Sequence, residues 1–517
     1  MQLFEPILTA DGMRAADAYT INEIGISAMD LMENAGKGAF AVLNARYGPI
    51  GGKNIIILAG KGNNGGDGLV LARLLHLAGS AVTVLTLATP SNTSPETSAN
   101  LSSPQPDERL SIVSFEHADQ LRKVDAPDLI IDALLGVGVE GELRSPVDTL
   151  TAWANEQAAP VVSLDVPSGL NSTSGVAAKG TVLAECTVAI AALKTGLAIN
   201  DGPLFAGDVH IADIGIPADT IVEHASAFRA TDDWVRQTLP RRHHAAHKYS
   251  SGRLIAVVGS REFTGAATLS TKAAYRTGVG AVVCCTPESA RPIIDSNALE
   301  VMVEGLPETE EGTLSIVAYD TIVEHLSKAD AALIGCGLGR VSETQRLVQA
   351  LLRRLDVPTV FDADGLNAIA DKTELLEEKS YTRTVLTPHF GEFLKLTKRD
   401  TIFPEERLSV ASESAQRWNV TIVLKGMPSI VAAPDGRVFI GPPGNTALAT
   451  AGTGDILAGM IASYLAQGLE SVDASLCALH VGTGACDRFT ATRGASSMCA
   501  SDLLSEIPFV LKERFSA

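Results

Sequence analysis

Two glycine-rich runs, far apart in a chain of 517 residues, carry the residue types that could do chemistry. The first is Asn63-Asn64-Gly65-Gly66-Asp67-Gly68, which follows the apolar stretch Asn54–Ala59. A glycine turn after a buried strand lets backbone N–H groups approach a ligand closely, because glycine reaches positive φ at little steric penalty. Asn63 and Asn64 add amide donors and acceptors, and a helix after the turn adds the partial positive charge of its N-terminus. A sharp strand-to-helix turn without a ligand would use the same glycines, so this run alone leaves both readings open. The second run, Thr450-Ala451-Gly452-Thr453-Gly454-Asp455, leads into Ile456, Leu457, Met460, Ile461, Tyr464 and Leu465, one apolar stripe on a helix. Its N–H groups would point at an anion. Asp455 beside that anion could take a proton from an attacking hydroxyl while the backbone stabilises a transferring phosphoryl group. The alternative is an aspartate that only complements the helix dipole.

Other loops join these two. Asp132-Ala133-Leu134-Leu135-Gly136-Val137-Gly138 and Asp165-Val166-Pro167-Ser168-Gly169 each follow a short apolar run. In a parallel sheet they would leave the same carboxyl edge as the Asn63 turn, where ligands bind. Later in the chain, Gly335-Cys336-Gly337-Leu338-Gly339, Thr387-Pro388-His389-Phe390-Gly391-Glu392 and Lys425-Gly426 also stand at strand ends, the last placed to meet a nucleotide phosphate.

The elements that must position these loops read as alternating helices and buried strands. Residues 10–46 have helical spacing, 55–59 form a strand buried on both faces, and a helix over 68–77 and a strand at 82–87 follow. Residues 88–108, rich in Ser, Thr, Pro and Asn, read as a loop. Strands are expected at 129–131, 161–164, 188–192 and 209–211, then again at 254–258, 281–285, 332–334, 359–361, 385–386 and 421–424. The pattern breaks near 217–240, which divides the chain into domains over residues 1–225 and 230–517, both of the α/β class with parallel layered sheets.

Composition narrows the function. The net charge of -19 argues against a nucleic-acid or anionic-membrane partner, which requires a basic face. Hydrophobic residues make up 46 % and aromatics only 5 %, so two aliphatic cores are expected. Seven cysteines without a Cys-x-x-Cys pair fit a reducing cytoplasm better than a disulfide framework or zinc cluster. The start, Met1-Gln2-Leu3-Phe4-Glu5-Pro6, lacks the basic and apolar regions of a secretory leader, and no apolar run is long enough to span a bilayer. Three further features read as structural. The basic cluster Arg241-Arg242-His243-His244 starts the second domain, 308–311 form a solvated acidic loop, and Cys284-Cys285 belong to the core.

With Leu31-Met32-Glu33-Asn34-Ala35-Gly36 before them, the Asn63, Asp132 and Asp165 loops resemble the NAD(P)H-hydrate epimerase family over about residues 1–220. The resemblance implies a Rossmann-like three-layer sandwich and a potassium ion held by Asn64, Asp132 and Ser168, oxygen donors suited to a hard cation. It also implies a hydrate site lined by Asn63, Asn64, Gly65, Gly66 and Asp67, by Gly136-Val137-Gly138-Val139-Glu140-Gly141-Glu142, and by Asp165. We assign Asp165 the proton shuttle that lets a ring hydroxyl leave one face and water return on the other. Residues 230–510, through 387–392 and 445–455, resemble the ribokinase-like ADP/ATP-dependent NAD(P)H-hydrate dehydratase family. There the resemblance implies that Ala266, Gly337, His389 and Asp455 contact the hydrate, with Asp455 as base. Lys425, Gly426, Met427, Pro428, Ser429 and Gly454 would contact the nucleotide. Phe390 departs from the family, where proline is common after the histidine.

The joint implication is a bifunctional NAD(P)H-hydrate repair enzyme. It epimerises NADHX and NADPHX and dehydrates the S form with ADP as co-substrate and Mg2+ on the phosphates; a homo-oligomer stays open. One alternative is a ribokinase-like vitamin or sugar kinase with an accessory nucleotide-binding domain; another takes the first domain as a nucleotide-binding sensor or a protein-interaction module. A simple dehydrogenase fits less well, because the first run is not Gly-x-Gly-x-x-Gly.

Overall fold

The computed structural model describes residues 3–102, 107–138, 141–242, 244–245, 247–378 and 383–514. The chain divides into a unit over Glu5–Phe228 and a second unit that takes in Leu3 and Phe4 as well as Arg229 onward.

The first unit is built on a seven-stranded parallel sheet. Its order is Leu110–Ser114, Ala81–Thr86, Asn54–Ala59, Leu129–Ala133, Val161–Leu164, Cys186–Ile190 and Asp208–Ala212. The central strands are continuous aliphatic runs because helices cover both faces. Ile55 and Ile57 pack with Leu69, Leu71 and Leu75 on one side, while Ile56 and Leu58 pack with Leu134 and Leu150 on the other. This is the three-layer sandwich expected from the sequence. The strand order reverses between Asn54–Ala59 and Leu129–Ala133, which opens a crevice at their carboxyl ends.

Several boundaries differ from the sequence reading. The helix after Asn54–Ala59 begins at Asn63, so the glycine run is its first turns rather than a turn before it. Packing overrides glycine's poor helix propensity here: a Cβ on Gly65 would stand 2.1 Å from the Gly60 carbonyl oxygen, and one on Gly66 would stand 2.5 Å from Met32 Cε. The helical stretch 10–46 is interrupted. Ala10–Tyr19 passes into a wide turn at Thr20–Ile24, Gly25 turns at φ 86, and Ser27 caps a new helix, Ala28–Tyr47. The expected loop 88–108 contains a helix, Pro95–Ser102, whose polar composition hid it; the Ser94 hydroxyl accepts from Thr97 N at 3.3 Å. The strand expected over 188–192 ends at Ile190, because Ala191 adopts φ 64.

In the second unit the parallel strands run in the order Met302–Leu306, Ala281–Pro287, Arg253–Val257, Ala331–Ile334, Thr359–Phe361, Thr384–Leu386 and Thr421–Leu424. Ile430–Ala432 and Val438–Ile440 continue the sheet antiparallel. These two strands and Met302–Leu306 went unrecognised in the sequence, being short or at an edge. The helix Thr453–Ala466 packs against Thr264–Arg276 and opens at Gly452, which takes φ 94. Cys284 and Cys285 are core residues, as expected. Arg241 and Arg242 are exposed, while His243 lies outside the described residues.

Candidate active sites

The reversal in the first sheet sets Asn54–Ala59 and Leu129–Ala133 side by side, with Leu58 opposite Asp132, and the next pairing sets Asp132 opposite Ser163. Asp132 is fully buried, and its carboxylate accepts from Ser163 Oγ at 2.8 Å, Ser168 Oγ at 2.6 Å and Ser168 N at 2.8 Å. Burial raises its pKa and these hydrogen bonds oppose the rise. Ser168 Oγ in turn accepts from Leu135 N at 3.0 Å. Asn64 donates through Nδ2 to the carbonyls of Leu135 (2.9 Å) and Leu164 (3.1 Å). Its Oδ1 is buried with no hydrogen-bond partner among the described residues. Asn64, Asp132 and Ser168 therefore meet around Leu135, and the cluster holds one orphaned amide oxygen. A buried acceptor of that kind is unfavourable unless something fills it.

In front of this cluster is a cavity of about 990 Å³. Asn63, Asn64, Asp67, Gly136, Val137, Gly138, Glu142 and Asp165 line it, and so do Asp17, Arg14 and Lys194. Gly65 and Gly66 sit behind it in the helix, where they let the backbone pack closely. Val139 and Glu140 lie outside the described residues; Gly141 follows them at φ 75. The Asp17 carboxyl is pushed up to about 6 by burial, against the pull of the Lys194 ammonium and with a smaller push from Asp165. Asp67 is raised well above the carboxylate range by burial and by Asp165. Sequence reasoning missed Asp17 and Lys194. The signal for Lys194 was a lone charge in an otherwise uncharged run, Ala189-Ile190-Ala191-Ala192-Leu193-Lys194.

In the second unit a chain of contacts links the expected residues. Lys425 follows Thr421–Leu424, and its Nζ pairs with Asp362 Oδ1 at 2.7 Å. Thr387 Oγ1 donates to the same oxygen at 2.8 Å. Cys336 Sγ lies 3.8 Å from Asp362 Oδ2, and donor atoms of Cys336, Asp362 and Asp455 all fall within 4.8 Å of one another. Burial opposes the Lys425 charge, but Asp362 and Glu392 outweigh it and raise the pKa. Asp455, on the first turn of Thr453–Ala466, is pushed up to about 6 by burial and then by Asp362, against the Cys336 hydrogen bond and Lys425. Asp362, at the end of Thr359–Phe361, was not singled out in the sequence.

Ala266 and Gly337 adjoin: a Cβ on Gly337 would stand 2.9 Å from Ala266 Cβ. The backbone next to His389 bridges to Lys425. His389 also caps its own helix, Phe390–Thr397, with Nδ1 accepting from Gly391 N at 3.0 Å and Glu392 N at 3.3 Å. Phe390 is the first helical residue, so the departure from proline leaves this cap intact. A separate cavity of about 440 Å³ is lined by Lys425, Gly426, Met427, Ser429 and Gly454, together with Asn445 and Thr446. Pro428 is in the same loop but not on its wall. A Cβ on Gly454 would come within 3.2 Å of Lys425 Nζ, so the ammonium stands directly over the helix start.

Fold and sites together define a two-unit α/β protein, a Rossmann-like sandwich and a ribokinase-like sheet, each with acids at its carboxyl edge. Residues 28–196 match the family described as YjeF-related protein N-terminus, and residues 254–509 match the family described as NAD(P)H-hydrate dehydratase. The bifunctional NAD(P)H-hydrate repair enzyme Nnr of Salinibacter ruber is 42 % identical over 528 residues, covering 99 % of this chain and 97 % of that protein. Its counterpart in Moorella thermoacetica is 37 % identical over 515 residues, covering 98 % and 96 %. A solved ADP/ATP-dependent NAD(P)H-hydrate dehydratase from Bacillus subtilis, co-crystallised with ATP and Mg2+, is 31 % identical with a TM-score of 0.48, covering 55 % of this chain and 98 % of that one. The chain belongs to the family of bifunctional NAD(P)H-hydrate repair enzymes.

Proposed function

We propose that the unit up to about residue 225 interconverts the R and S epimers of hydrated NADH and NADPH. The unit from about residue 230 dehydrates the S epimer, consuming ADP and releasing AMP and phosphate. The observation that carries this reading is the same at both sheets: an aspartate stands at the carboxyl edge by the glycine-bearing start of a helix, Asp165 near Asn63–Leu77 and Asp455 on the first turn of Thr453–Ala466.

In the first reaction the ring nitrogen's lone pair expels the neighbouring hydroxyl as Asp165 supplies a proton. Water then adds to the other face and returns a proton to Asp165. Asn63, Asp67 and the 136–142 loop would hold the hydrate. The orphaned Oδ1 of Asn64, with Asp132 and Ser168, fits a potassium ion, which would supply a fixed positive charge beside the nucleotide. In the second reaction Asp455 takes the proton of the ring hydroxyl as that oxygen attacks the terminal phosphorus of ADP, with AMP leaving. Phosphate is then expelled with its C–O electrons as the ring loses a proton, and the double bond is restored. Lys425, Gly426, Met427, Pro428, Ser429 and Gly454 would contact the nucleotide, and Ala266, Gly337 and His389 the hydrate. The grouped donors Cys336, Asp362 and Asp455 include a thiol and so do not fit magnesium, which takes oxygen ligands. We therefore place magnesium on the ADP phosphates.

All seven cysteines are free thiols, which supports a cytoplasmic setting. Among the described residues no helix is long and apolar enough to cross a membrane.

The deciding experiment incubates the full chain with mixed hydrate epimers and ADP, ATP or no nucleotide. Nucleotide-dependent recovery of the reduced-nicotinamide absorbance is expected, and its absence overturns the dehydratase reading. Two further results are expected. The acid limb of kcat/KM for dehydration should have its midpoint near pH 6, where Asp455 must lose its proton to act as base, and activity falls as pH drops through that value. Potassium should also stabilise the folded chain, by about 2–3 kcal/mol at a hundredfold excess over its Kd. That shift, read in thermal unfolding, should vanish in Asn64→Leu.

A further inference from the structure

The strands Val161–Leu164 and Cys186–Ile190 are neighbours in the first sheet, with Leu164 opposite Val188. Each is followed at once by a non-glycine residue in the left-handed region, Asp165 at φ 65 and Ala191 at φ 64. Such conformations are unfavourable by about 1–3 kcal/mol and persist where the surrounding fold over-determines them. Both kinks lead to one ion pair. Asp165 N is held by the Val188 carbonyl at 2.8 Å, which fixes the residue against the neighbouring strand. After Ala191 the chain enters the short strand Leu193–Lys194, which pairs in parallel with Phe4–Leu8 and sets Lys194 opposite Leu8. The Lys194 side chain is completely buried. Its Nζ donates to the Ile190 carbonyl and pairs with Asp165 Oδ1.

A buried ion pair is a poor device for stability alone, since apolar residues of the same volume serve as well or better. A methionine would fill this position. What the lysine adds is an orientation. Nζ occupies Oδ1, and Ile190 N reaches the same oxygen at 3.4 Å. The other oxygen, Oδ2, is turned toward Gly136, where a Cβ would stand 3.1 Å from it. Gly136, Asp165 and Lys194 line the same 990 Å³ cavity. Asp17 and Asp67 line it too, so without the ammonium Asp165 would face two further carboxyl groups with only the long Ile190 N contact to set its rotation.

We infer that Lys194 is the positioning residue of epimerisation: by holding Oδ1 it presents Oδ2, on the Gly136 side, as the oxygen that exchanges a proton with the hydrate. The inference rests on the epimerase reading of this cavity.

The test uses the full chain and follows exchange between the R and S hydrates without nucleotide. Lys194→Met should lower kcat for exchange by about 100-fold, the scale expected when a reacting group is misplaced by an ångström, with KM changed less than about threefold. Dehydration of the S hydrate with ADP, measured on the same preparation, should stay at the wild-type rate and reports an intact second unit. In an Asp165→Asn background, adding Lys194→Met removes the remaining buried charge and should change exchange by less than about threefold, because the two act as one unit. Wild-type exchange in Lys194→Met, a loss confined to KM, or a full further loss in the Asp165→Asn background overturns the inference while leaving the epimerase reading in place. A wild-type chain that does not accelerate exchange overturns both.

Discussion

Asp455→Asn should lower kcat for ADP-driven dehydration by about 10³-fold while epimer exchange continues at the wild-type rate. General-base catalysis contributes about 10²–10⁴, and an amide of the same shape cannot accept the hydroxyl proton. The loss should fall on kcat and kcat/KM alike, with hydrate binding little changed, because the missing interaction forms only in the transition state. Stability should move the other way. The folded-state pKa of Asp455 lies near 6, above the ordinary value of 3.8. The folded chain therefore carries an ionisation penalty that is absent below about pH 4, grows as the pH rises through 6 and is complete above it. Asparagine carries no charge and removes the penalty, so the variant should gain about 1 kcal/mol at pH 8, after allowance for solvent screening, and nothing at pH 4. A slow but more stable protein is the signature of a strained catalytic group. Steady-state dehydration rates and denaturant unfolding at the two pH values check both halves. An Asp455→Asn protein that turns over normally removes the base assignment.

The parts of these sites that were legible in the sequence are those where one short segment carries its own signal. Asp132, Asp165, Lys425 and Gly452–Asp455 each follow a run of buried residues or open a helix, and position at a strand end is enough to place them at the ligand edge of a parallel sheet. The parts that were not legible depend on contacts between distant segments. Lys194 matters because a parallel neighbour brings it to Asp165, and no local pattern says which strand lies beside which. Asp17 reaches the same cavity from the helix Ala10–Tyr19, at the other end of the unit's sequence. The Asn63 helix was read too short for a related reason. Three glycines within Asn63–Leu77 look like a turn when judged by propensity, yet the space they leave for Gly60 and Met32 exists only in three dimensions. Short antiparallel strands such as Ile430–Ala432 and Val438–Ile440 hold too few residues to show a period.

Asp165→Asn should divide the two activities in the opposite sense. Epimer exchange should fall by about 10²–10⁴-fold, toward the spontaneous rate, because asparagine cannot relay a proton between the two faces of the ring. Dehydration of pure S hydrate should be untouched. With mixed epimers and ADP the consequence appears in the progress curve: the wild-type chain should consume the whole sample, whereas the variant should stop once the S epimer is spent and leave the R epimer stranded. The variant also leaves the buried Lys194 ammonium without its counter-charge, and breaking one side of a buried pair destabilises by about 3–5 kcal/mol. Loss of exchange could then come from a loosened first unit rather than from the missing base. Asp165→Asn with Lys194→Met separates the causes, since neither charge remains. The pair should regain most of the stability without regaining exchange. Recovery of exchange in the double variant would show that the single substitution acted through the fold, and Asp165 would then lose its chemical role.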